Sequence, residues 1–223
     1  MKITSTEIFL LDGGRPGWRP IVVKVNTDEG IYGYGEASLG FDSAAEGAVG
    51  MLKEIAPLAT GMDPFANEAV WDRLYSDSFW AQGGGACLFA SISAVDTALW
   101  DIKGKALGVP VYRLLGGRIR DSLRCYASQL QFGWSESGMV FDRGARTEDL
   151  AESAKKAVSE GYDAIKVNII TYNEDGTRLG FLRGPLPLKK AHLIEKRIRA
   201  IRDAVGPDVD ILIENHGRRS EEH

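Results

Sequence analysis

The 223-residue chain carries 27 Lys and Arg against 31 Asp and Glu, a formal charge of −4, and is 44% hydrophobic. That balance is ordinary for a globular protein and gives no electrostatic reason to expect nucleic acid or an anionic membrane as partner. No apolar run approaches the roughly 20 residues of a membrane span, the first residues hold no signal-peptide core, and Cys87 and Cys125 make neither a disulfide framework nor a clustered zinc site; a cytoplasmic location is expected.

In chain order, 3–11 and 21–27 are β-rich runs, and Asp28-Glu29-Gly30 joins the second to 31–36 as a hairpin. Residues 43–56 place Ala45, Ala48, Val49, Leu52, Ile55 and Ala56 on one helical face. Asp63-Pro64 reads as a helix start ahead of Val70, Trp71, Leu74 and Tyr75. The aromatics Trp71, Tyr75, Phe79 and Trp80 read as core. Gly83-Gly84-Gly85 lacks the Lys-Ser/Thr of a phosphate-binding loop and is expected to permit close packing before a long buried helix over 86–106. A short helix from Pro110 ends at Gly116-Gly117.

After residue 122 the pattern becomes strand and helix in alternation: strands over 123–128, 162–169 and 208–214, helices over 148–160 and 189–205. Such repeats imply parallel strands. The helix-to-strand links are tight, whereas the strand-to-helix links, 129–147 and 170–188, are long and lie at the carboxyl ends of the strands, where barrel enzymes keep their sites. The expected organisation is a capping domain over 1–122 and the start of a barrel over 123–223. A complete barrel needs about 250 residues; about 100 follow residue 123, so an incomplete barrel is expected.

The apolar run Ile211-Leu212-Ile213 ends in Glu214-Asn215-His216-Gly217. Strand side chains alternate, so Glu214 and His216 share a face, as do Lys166 and Asn168 on the preceding strand. A carboxylate suits a hard cation and a histidine titrates near neutrality. A lysine in an apolar strand is costly to bury unless it meets an anion or reaches past the strand end. Each residue thus has a plain structural reading beside the functional one, and their convergence on one mouth favours a site. Trp18 and Arg19, on a loop off the opening meander, are further candidates for substrate contact.

Ala98-Leu99-Trp100-Asp101-Ile102-Lys103-Gly104-Lys105, with Gly108-Val109-Pro110-Val111 and Leu114-Leu115-Gly116-Gly117, resembles the capping-domain signature of the mandelate racemase/muconate lactonizing branch of the enolase superfamily. Gly33-Tyr34-Gly35-Glu36, Lys166-Val167-Asn168 and Glu214-Asn215-His216-Gly217-Arg218 resemble the same family, most closely its galactonate-dehydratase-type sugar-acid dehydratases.

The resemblance implies an α+β capping domain, an antiparallel meander plus helices, followed here by the first three units of a (β/α)7β barrel of the enolase type. It implies a Mg²⁺ held by three strand-end carboxylates, with Glu214 as the first ligand, where the family usually has Asp. His216 would be the general acid for the departing hydroxyl, and Lys166 would hold the substrate carboxylate and offset its charge, with Asn168 beside it. Racemases of this branch carry a second lysine at the Asn168 position. An amide cannot accept a proton at neutral pH, which favours loss of water. The expected partner is a small sugar acid, in a homo-oligomer when full length. A racemase, epimerase or cycloisomerase of the same superfamily, or a non-catalytic truncated fragment, are the alternatives.

Overall fold

A computed structural model describes residues 1–14, 17–135, 138–139, 146–178 and 184–214. The chain divides into two compact units, Met1–Asp121 and Ser122–His223, each considered by itself.

The first unit is an antiparallel sheet of β1 (Ile3–Leu10), β2 (Ile21–Thr27) and β3 (Tyr32–Ala37), in that order, with helices on one face. In the central strand Ile21, Val23 and Val25 are fully buried, the two-residue alternation of a half-covered sheet. Helices α1 (Ser43–Ile55), α2 (Asn67–Ser76) and α3 (Ala86–Leu107) supply Leu52, Ile55, Leu74, Leu88, Ile92, Leu99 and Ile102 to the same core. A short α4 (Val111–Leu114) follows the left-handed Gly108 that ends α3.

The packing of α3 on β3 explains the most distinctive sequence of this unit. A Cβ at Gly33 would lie 2.0 Å from the Ala98 carbonyl oxygen, and one at Gly35 would lie 1.9 Å from that of Ala94. Only glycine on the strand and alanine on the helix let the two backbones approach so closely. Asp101 then accepts the Tyr34 N–H at 2.9 Å and pairs with Lys105 at 2.7 Å, while Lys105 donates to the Tyr32 carbonyl at 2.8 Å. The Ala-Leu-Trp-Asp signature is a latch between helix and strand.

Three expectations for this unit are corrected. Helix α2 begins at Asn67, not at Pro64, because the Asp63 carboxylate accepts the Phe65 N–H and folds 63–66 into a turn. Of the aromatic group only Tyr75 packs against the core: Trp71 is 40% exposed, and Phe79 and Trp80 are 81% and 73% exposed, on a surface segment beyond α2 anchored by the buried Ala81. The glycine triplet permits close packing only at Gly84, where a Cβ would lie 3.2 Å from the Phe89 ring; the Cβ positions of Gly83 and Gly85 face open space, and Gly84 and Gly85 are needed for positive φ, 68° and 100°.

The second unit holds a parallel sheet in the order β4 (Ala127–Ser128), β7 (Ala164–Val167), β8 (Asp210–Ile213), with α5 (Thr147–Ser159) and α6 (Leu188–Val205) between its strands in sequence. Leu150, Ala154, Ala157, Ile165, Val167 and Ile201 form its core. Beyond β4 lie a 3-10 turn over Leu130–Phe132 and a two-stranded ribbon of β5 (Trp134–Ser135) and β6 (Gly138–Met139).

The strands are shorter than expected, for identifiable reasons. Ahead of Ala127 the chain is tied to its neighbours by the Arg124 guanidinium, which pairs with Asp163 at 2.9 Å and Asp210 at 2.6 Å. After Val167 the Asn168 N–H goes to the Gln131 side chain instead of a strand partner. Strand β8 is not buried as its apolar sequence suggests: Leu212 and Ile213 are 37% and 38% exposed, at an edge that pairs only with β7 among the described residues.

Candidate active site

The register of the parallel sheet sets the site. Lys166 lies opposite Leu212 in the β7–β8 pairing. The Glu214 N–H donates to the Val167 carbonyl at 3.0 Å, so the ladder continues one residue past β8. By alternation Leu212 and Glu214 share the face of Lys166 and Asn168. The Lys166 Nζ stands 3.3 Å from Glu214 Oε2 and also donates to the Tyr126 hydroxyl at 3.4 Å, with the ammonium 5.1 Å from the Tyr126 ring centroid.

Electrostatics fix the state of this lysine. Burial alone would lower its pKa, but the bonds to Tyr126 and Glu214 outweigh it and hold the ammonium above the ordinary lysine value. Lys166 is a permanent cation near neutrality, suited to hold an anion and not to abstract a proton.

Lys166, Asn168 and Glu214 line one cleft of about 140 Å³ together with Gln129 and Gln131. Asn168 is buried, and its side-chain oxygen accepts the Ile170 N–H at 3.3 Å while its N–H donates to Gln131 Oε1 at 3.1 Å. The residue therefore also shapes the loop that leaves β7. That loop rests on the buried Arg197 of α6, whose guanidinium donates to the carbonyls of Ile169 at 2.6 Å and Tyr172 at 2.8 Å. Burial pushes this guanidinium below its usual pKa, with Glu174 opposing.

Gln129, Gln131, Tyr126 and Arg197 were not singled out from the sequence. The single available signal was the polar Gln129-Leu130-Gln131 directly after a strand, at the end where sites form. His216 lies outside the described residues. Trp18 and Arg19 belong to the first unit: Trp18 forms an isolated bridge to Phe41, its ring lying over Gly13, and Arg19 pairs with Glu46 at 2.5 Å.

Magnesium requires a near-octahedral set of oxygen donors. Among the described residues no group of three or more His, Cys, Asp or Glu side chains could hold a metal ion. Glu214, a partly exposed strand-end carboxylate, qualifies as one donor. The other oxygens of the cleft, those of Asn168, Gln129 and Gln131, accept protein hydrogen bonds. The described residues thus fit one ligand of such an ion and do not complete its site.

Architecture and site together define a class: a capping unit of meander plus helices, and parallel strands beginning a barrel with paired polar residues at their carboxyl ends. Residues 17–116 match the mandelate racemase/muconate lactonizing enzyme N-terminal domain. A D-galactonate dehydratase of Variovorax paradoxus is 33% identical over 218 residues, 98% of this chain and 49% of that protein. A solved structure from Zymomonas mobilis ZM4 is similar at 53% identity and a TM-score of 0.90, over 97% of this chain and 55% of the other. A member of the enolase superfamily from Salmonella Typhimurium is similar at 49% identity and the same TM-score and coverage. The chain belongs to the mandelate racemase/muconate lactonizing enzyme branch of the enolase superfamily. It spans about half the length of the curated relatives it matches.

Proposed function

We propose that the chain contributes the capping domain and first barrel strands of a Mg²⁺-dependent dehydratase that removes water from a sugar acid. The observation that carries this reading is the strand-end pair of Lys166 and Glu214, with Asn168 where a racemase of the branch would have a second lysine. Relatives named D-galactonate dehydratase support the same reaction class.

In this reading Lys166 binds the substrate carboxylate and offsets the negative charge that grows when the α-proton leaves. Glu214 would be one ligand of a magnesium ion, whose set the described residues do not complete. When bound, Mg²⁺ supplies positive charge for the developing oxyanion. His216, placed by sequence alone, donates the proton with which the β-hydroxyl departs as water. A base that the described residues do not supply would take the α-proton; the Cα–H and Cβ–O bonds break, a Cα–Cβ double bond forms, and the resulting enol takes a proton at Cβ to become a 2-keto-3-deoxy acid. Asn168 shapes the loop and contacts substrate. Trp18 and Arg19 are proposed as substrate contacts from the first unit. The working enzyme is proposed to be a homo-oligomer.

The test is a panel of aldonates, D-galactonate and D-gluconate among them, incubated with the complete gene product and Mg²⁺. A 2-keto-3-deoxy acid is the expected product. An epimerised hydroxy acid, or a lactone with no keto product, would move the protein to another reaction of the superfamily.

A further inference from the structure

Gln129 is held in an unusual conformation for an L-residue, φ 67° and ψ 36°, in the left-handed region. Such a conformation is sterically unfavourable and persists only where the surroundings impose it. The next loop residues explain how. Gln131 is 3% exposed and uses both ends of its amide: Oε1 accepts the Asn168 N–H at 3.1 Å, and Nε2 donates to Gln129 Oε1 at 3.2 Å.

The polarity of this chain of bonds is forced. A backbone N–H can only donate, so Gln131 must turn its oxygen to Asn168 and its nitrogen to Gln129. Gln129 must then present its oxygen to Gln131, and its NH₂ group has no protein partner among the described residues. Gln129 lines the cleft with Lys166 and Glu214.

We propose that Gln129 is a ligand-binding residue whose NH₂ donates to an oxygen of the hydroxy-acid substrate beside Lys166, and that Gln131 is the positioning residue that fixes this polarity from the β7 backbone. The inference rests on the proposed sugar-acid reading of the cleft. A neutral donor next to a fixed cation separates two tasks: Lys166 supplies charge and Gln129 supplies direction.

The test is an NMR titration of the complete gene product, ¹⁵N-labelled at glutamine side chains, with D-galactonate in the presence of Mg²⁺, following side-chain amides in wild type, Gln129→Met, Gln131→Glu and Lys166→Met. The Gln129 NH₂ resonance should shift on binding, and Gln129→Met, a surface change, should weaken binding about tenfold. Gln131→Glu keeps the acceptor for Asn168 but loses the donor to Gln129. The second carboxylate oxygen is an acceptor that draws the Gln129 NH₂ onto itself, so the Gln129 NH₂ resonances should shift already in the ligand-free protein and binding should weaken several-fold. Binding weakened by Lys166→Met, but unchanged by Gln129→Met with an unmoved Gln129 resonance, overturns this inference and leaves the functional reading standing. No binding by wild type, or none lost in Lys166→Met, overturns the functional reading and this inference with it.

Discussion

At the scale of single residues the site is a matter of charge. Lys166 is held protonated by Tyr126 and Glu214. Its folded pKa is raised, so its contribution to anion binding is complete below the ordinary lysine value and is lost only as pH rises through the folded one. Its share of aldonate affinity should therefore stay constant from about pH 6 to about pH 9. Lys166→Met should weaken binding by roughly 10- to 100-fold, the worth of a charged hydrogen bond, and change folding stability by less than about 1 kcal/mol because the pair is partly exposed. Titration calorimetry across pH checks both, and steep loss of affinity between about pH 7 and about pH 8 would contradict a fixed cation. Lys166 and Glu214 were legible because strand alternation and parallel adjacency are local rules. Gln129 and Gln131 were not, because their roles depend on a left-handed turn and a bond between loops 37 residues apart.

At the scale of elements, two contacts without active-site chemistry position everything else in their own units. Gly35 meets the α3 backbone, which cannot yield as a side chain can. Gly35→Ala should destabilise the first unit by about 3 kcal/mol, read as a fall in its thermal midpoint. The hydrophobic period of 43–56 and 86–106 predicted the helices well, and the meander followed from alternation and the Asp28-Glu29-Gly30 turn. The glycine alternation of Gly33 and Gly35 was visible, but its reason lay in a helix 60 residues away in sequence, roughly the separation of Gly35 and Ala94. In the second unit, Arg197→Met strips two loop carbonyls of their buried donor. It should cost about 3 kcal/mol and expose 171–178 to proteolysis, with unchanged cleavage contradicting its role as the loop's anchor. An arginine on an otherwise amphipathic helix gave no hint of this, since its partners are backbone atoms.

At the scale of the molecule, the division near residue 121 separates a closed core from a sheet whose edge strand is open among the described residues. The exposed Leu212 and Ile213 on β8 predict concentration-dependent self-association of the chain, reduced in Leu212→Lys and measurable by sedimentation velocity. A concentration-independent monomer would contradict it. The architecture was legible from the switch between meander and strand–helix alternation. The exposure of β8 was not, because an apolar run signals burial without saying whether a neighbour is present.

The carboxyl ends of β7 and β8 are proposed to begin a metal-assisted site for removing water from a sugar acid. The direct measurement is Mg²⁺-dependent formation of a 2-keto-3-deoxy acid from D-galactonate or another turned-over aldonate by the complete gene product, wild type against Glu214→Gln. Wild type should form product at a rate that rises with Mg²⁺, and the rate should fall at least about 100-fold in the variant, which keeps the volume but loses the charged ligand. Unchanged Mg²⁺-dependent turnover in Glu214→Gln would contradict it.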